Sequence, residues 1–125
     1  MIDKNKIQQF EDLPVWQDAQ DLAVEVYTLS KFFPDEENYA LVNQLRRAVS
    51  SISANIAEGF GRKSSKDKLQ FYRIAYGSLL EVKNFIYLAH RLNYINDEQK
   101  SKTIELIESL QKQLNAVMGY FNGKA

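Results

Sequence analysis

Residues 41–65 read LVNQLRRAVSSISANIAEGFGRKSS and carry a helical stripe that runs straight into a basic elbow. Leu41, Leu45, Val49, Ile52, Ile56 and Phe60 each follow the last by three or four residues. That spacing stacks side chains along one face of an α-helix. Gly59 and Gly61 are then expected to release the helix geometry, and Arg62, Lys63, Ser64 and Ser65 to turn the corner.

The same period extends in both directions. Upstream, Val15, Trp16, Ala19, Leu22, Ala23, Val26 and Tyr27 predict a helix over about 14–33. Pro14 suits its first turn, where a missing N–H costs nothing, and Pro34 ends it. The elbow helix itself is expected over about 38–60. Downstream, Ser64 and Asp67 have capping-box spacing and open a helix over about 65–92. Asn93 tolerates the left-handed turn that closes it. Asn96 and Gln99 open a last helix over about 97–121, lined by Ile104, Ile107, Leu110, Leu114, Val117 and Phe121. No alternation of period two appears. Four helices on short connections predict an all-α, antiparallel, up-down-up-down four-helix bundle, one domain over residues 1–125.

Composition narrows the classes. Two prolines and five glycines in 125 residues favour long uninterrupted elements. The chain contains no cysteine, so disulfides, thiolate metal sites and thiol catalysis are excluded. No apolar run approaches the ~18 residues of a membrane span, and MIDKNKIQQFED does not read as a signal peptide, so a cytoplasmic protein is expected. The formal net charge is zero, yet residues 1–45 hold three lysines against nine acids. Residues 46–73 hold seven bases against two acids. Such asymmetry steers a polyanion or joins an acidic face to a basic one.

The seven bases are the candidate nucleic-acid contacts: Arg46, Arg47, Arg62, Lys63, Lys66, Lys68 and Arg73. Lysine and arginine neutralise phosphates and give affinity without base specificity. The competing reading is a solvated corner, or pairing with Asp18, Asp21, Glu25 or Glu36. Asn55 and Glu58, one turn before the elbow, are placed to hydrogen-bond or cap it. A second candidate surface comes from apolar excess. Phe71, Tyr72, Ala75, Tyr76, Leu79 and Val82 spread over more of the third helix than a lone bundle needs to bury. Small Ser50 and Ala54 line a second strip on the elbow helix. Together these eight predict an interface with other copies of the chain.

Catalytic prospects are poor. His90 is the only histidine, and Tyr87 stands where a Glu-x-x-His di-iron motif needs a carboxylate. No Walker loop is present, and no nucleophile–base–orienter set can be assembled. No catalytic residue, cofactor or metal is expected.

FEDLPVWQDAQDL, QLRRAVSSISANIAEGFGRKS and FYRIAYGSLLEVKNFIYLA together resemble the S23, or 23S rRNA intervening-sequence, family of four-helix bundle proteins. The resemblance spans about residues 10–120. The family is similar in fold to the accessory variability determinant of diversity-generating retroelements, a basic homopentamer that binds nucleic acid and a reverse transcriptase. The resemblance therefore implies a bacterial homo-oligomer, with five copies as the family pattern. RNA, DNA or a protein partner would be bound, and no catalytic residue is carried over. The expected function is a non-catalytic scaffold binding phosphates at the elbow; the alternative is a protein–protein interaction module with no nucleic-acid role.

Overall fold

The computed structural model describes residues 6–124. Four α-helices account for most of them: α1 (Pro14–Ser30), α2 (Leu41–Gly61), α3 (Ser65–Arg91) and α4 (Asp97–Asn122). Two single 3-10 turns, Phe10–Asp12 and Asp35–Glu37, precede α1 and α2. There is no strand among the described residues. Both α1 and α3 pack against α2 and α4, so the four stripes converge on one core. Leu22 and Val26 meet Leu45, Val49, Ile52 and Ile56 there, with Leu79, Val82 and Ile86 from α3 and Ile107, Leu110 and Leu114 from α4. All of these are fully buried. Each such side chain contributes on the order of 1.5–3 kcal/mol when removed from water. Among the described residues no helix is long and apolar enough to cross a membrane.

The first connection departs from expectation. Helix α1 ends at Ser30 rather than near 33, and α2 starts at Leu41 rather than 38. Ser30 is buried, and its Oγ accepts a 2.9 Å hydrogen bond from Nε of Arg46 on α2. Beyond it the chain tightens into i+3 bonds, with Phe33 N–H donating to the Ser30 carbonyl. That turn drives Phe33 into the core, 5.3 Å from the ring of Tyr94. Bringing Phe33 inside thus outweighs one more turn of exposed helix.

The later caps are side-chain driven. Ser64 Oγ accepts from the Asp67 amide at 3.1 Å to open α3. Asn96 and Gln99 form a reciprocal capping box on α4. Asn93 closes the α3 end with φ at 63°, in the left-handed region that asparagine tolerates.

The glycines of GFG do a different job from the one expected. Gly59 and Gly61 both lie inside α2, and no described glycine has positive φ. The turn is made instead by Arg62, extended at φ −77° and ψ 150°. A Cβ on Gly59 would stand 2.7 Å from Cε1 of Tyr72, whereas Gly61 faces open space. Gly59 is therefore a close-approach residue that lets α3 seat its tyrosine against α2. Gly59→Ala should lower stability by about 1–2 kcal/mol, overpacking outweighing the better helix propensity. Gly61→Ala should raise it by up to about 1 kcal/mol. Urea midpoints of the two variants, at unchanged slope, provide the check.

Candidate functional site

The predicted bases do not form one cluster: Arg62, Lys63, Lys66 and Lys68 crowd the elbow, Arg73 lies farther along α3, and Arg46 and Arg47 sit near the other end of α2, and most of the seven do structural work. Arg46 lies on the α1–α2 seam, its Nη2 3.4 Å from the Tyr27 carbonyl and its guanidinium 4.7 Å over the Tyr27 ring. Arg47 pairs with Glu81 of α3 at 3.2 Å, and Arg62 pairs with Glu58 at 3.2 Å while covering the Phe71 ring. Lys68 reaches back across the elbow. Its Nζ donates to the carbonyls of Phe60 at 2.7 Å and Gly59 at 3.2 Å. A cation at a helix C-terminus satisfies orphan carbonyls and complements the dipole. Partial burial beside Phe60 and Phe121 lowers the Lys68 pKa below the usual lysine value.

Three bases remain exposed and make no side-chain hydrogen bond or ion pair: Lys63, Lys66 and Arg73. Lys66 and Arg73 are seven residues apart, two turns along one face of α3. The acidic partners weighed for the elbow lie elsewhere. Asp18 accepts from Gln113 and Glu25 pairs with Lys102, both on α4. Asn55 donates to the Ser51 carbonyl and hydroxyl, so it holds α2 and not the turn.

The predicted inter-copy surface also divides. Tyr72, Ala75, Leu79 and Val82 lie inside the core of the single chain, and no other copy can reach them there. Helix α3 lies between α2 and α4, and two neighbours bury a wider stripe than one does. Burial pushes the Tyr72 phenol up to about 12. Tyr76 is half-buried and accepts from Gln111 of α4, and Phe71 sits beneath Arg62. Ser50 and Ala54 are exposed. Ala54 joins Phe10, Ala57, Glu58, Gly61 and Arg62 around an open groove of about 420 Å³ beside the elbow.

Sequence reasoning missed the surface residues that stand out most. Tyr39 is 95% exposed and Phe32 81%, both in the α1–α2 connection. On α3, Ile74, Leu80, Tyr87 and Leu88 are each a little under half exposed. Phe32 and Tyr39 fall between helical stripes, where periodicity says nothing. His90 contacts Asp97 at 2.6 Å and ties the α3 end to the α4 start. Among the described residues no three histidine, aspartate or glutamate side chains converge as metal ligands.

Comparison with known proteins gives this arrangement its context. The model of the 23S rRNA-intervening sequence proteins matches residues 11–116. The chain belongs to that family. A crystal structure from Bacteroides thetaiotaomicron VPI-5482, of a protein of unknown function in the S23 ribosomal protein family, is similar at a TM-score of 0.77. It is 27% identical, over 83% of this chain and 97% of that one. No curated protein matches. The region shared with the intervening-sequence family contains all seven bases, Phe32, Tyr39 and most of the groove, and leaves out Phe10.

Proposed function

We propose that this chain is a non-catalytic scaffold of the intervening-sequence family that acts by associating with copies of itself. One observation carries the reading: Phe32 and Tyr39 project almost fully into solvent although the core has no shortage of apolar residues. Both lie in the one connection between α1 and α2, and exposed apolar side chains that cluster, unlike scattered single ones, mark interaction surfaces. The reading takes the bundle as antiparallel, up-down-up-down. Supporting this, residues 20, 27 and 30 of α1 meet 53, 50 and 46 of α2, one series rising as the other falls. Likewise 47 and 51 of α2 meet 81 and 78 of α3, and 76 and 83 of α3 meet 111 and 108 of α4. Sedimentation of the whole chain at micromolar concentration should give a mass several times the 14.5 kDa of one copy. A single species at 14.5 kDa would overturn the reading.

A second reading is favoured by Lys63, Lys66 and Arg73, whose charges are unspent. Presented in several copies, they would hold the phosphates of RNA or DNA. Affinity for a single-stranded RNA should then fall steeply between ~50 and ~200 mM salt. Replacing all three with Gln should flatten the log–log salt slope by about 2 for each copy in contact with the strand. Binding with an unaltered slope would leave the elbow a solvated corner.

A further inference from the structure

Within that self-association reading, two unlike ends of the bundle carry matching features. The connection between α1 and α2 presents Phe32 and Tyr39 beside Asp35 and Glu36, whose carboxylates make no hydrogen bond or ion pair. Its third acid, Glu37, is occupied by the Tyr94 hydroxyl at 2.8 Å. The elbow end presents the opposite. The groove has a floor of Ala54, Ala57 and Gly61, an aromatic wall in Phe10, and the Arg62–Glu58 pair at its rim. Lys63 and Lys66, both uncommitted, follow directly on that rim. A cleft of about 420 Å³ over side chains no larger than a methyl has room for an aromatic ring. Gly61 has nothing within 4 Å of where its Cβ would be, so the open space reaches the helix backbone. The two ends cannot meet within one chain. The 17 residues of α1 separate them by roughly 25 Å at 1.5 Å per residue.

We infer that the α1–α2 connection of one copy docks on the elbow groove of the next, Phe32 or Tyr39 entering the cleft while Asp35 and Glu36 face Lys63 and Lys66. The occupant is a second copy because this chain itself supplies the complementary charge and the aromatic. A contact between different patches is heterologous, so repetition closes a ring or extends a filament. It also gives the lopsided charge of a neutral chain a use, since a connection that is net acidic despite Lys31 meets an elbow that is net basic despite Asp67.

Charge reversal in the full-length chain tests the contact, read by sedimentation velocity across concentration. Asp35→Lys with Glu36→Lys, and separately Lys63→Glu with Lys66→Glu, should each weaken self-association at least tenfold. Mixing these two variants should restore association between them, because each then offers the end that the other lacks, although strict alternation closes only rings with an even number of copies. Phe32→Ser with Tyr39→Ser should weaken assembly as strongly, and unchanged far-UV circular dichroism should show an intact fold. Wild-type chain that assembles while the reversed and serine variants assemble equally well would overturn the docking and leave self-association standing. Wild-type chain that stays monomeric would overturn both. Dissociation by each reversal without recovery on mixing would also overturn it, because the two patches would then not face one another.

Discussion

Leu79→Ala is expected to lower the unfolding free energy by about 2–5 kcal/mol, while Leu80→Ala next to it changes it by less than ~0.5 kcal/mol. The two residues are identical and adjacent on α3, and differ only in direction. Leu79 is completely buried among core side chains from all four helices, and its truncation leaves a cavity that close-packed neighbours fill only in part. Leu80 is 44% exposed on the outer side, so its truncation removes little buried area. Reversible urea unfolding of both variants at one protein concentration measures the difference. Equal losses for the pair would mean that α3 is covered on both sides, as the apolar excess in its sequence suggested. Because self-association would stabilise a folded chain by mass action, a Leu80→Ala loss that grows with protein concentration would place that side of α3 in an interface.

That pair shows where sequence was enough and where it was not. The stripes of α2 and α4 were legible because each advances in steps of three or four and is flanked by polar residues on the other sides. Leu45, Ile52, Ile107 and Leu114 are buried just where that pattern puts them. Helix α3 has a core stripe of the same period, Leu69, Tyr72, Ala75, Leu79, Val82, Ile86 and Ala89, but the further apolar residues Ile74, Leu80, Tyr87 and Leu88 blur its edges. Those edges are drawn by its position between α2 and α4. The elbow failed for a related reason. Charge count identified seven bases, but nothing in their spacing reveals that Arg46 reaches Tyr27 and Ser30, that Arg47 reaches Glu81, or that Lys68 folds back onto the α2 carbonyls. Each of those contacts joins different helices or spans the turn, and such pairings exist only after packing. Gly59 was misread because a glycine near a helix end fits a turn and a close approach equally well. The neighbour that decides between them, Tyr72, is thirteen residues along the chain.

Tyr72 leads to the second large effect, which concerns alkaline pH. Its ring is 3% exposed, wedged against Gly59 and 5.8 Å from the ring of Phe121. Desolvation disfavours the phenolate and pushes the group up to about 12, against about 10 in an unfolded chain. Below pH 10 the phenol is neutral in both states and its contribution to stability is complete. Between pH 10 and about 12 the unfolded chain loses this proton and the folded chain keeps it, so unfolding releases a proton and stability falls as pH rises. The slope approaches about 1.4 kcal/mol per pH unit, and the total is on the order of 2–3 kcal/mol. Lys68, near the same aromatic cluster, works in the opposite sense. Its folded pKa is lowered, so between that value and 10.5 the unfolded chain binds the extra proton and stability rises with pH. The two contributions are separated by Tyr72→Phe, which keeps the ring against Gly59 and removes only the titrating hydroxyl. Urea unfolding from pH 9 to 12 should show wild-type stability falling relative to Tyr72→Phe by that amount, with the two nearly equal at neutral pH. Parallel curves for the two proteins would mean that water reaches the phenol, and that Tyr72 is less tightly seated against Gly59 than its 3% exposure implies.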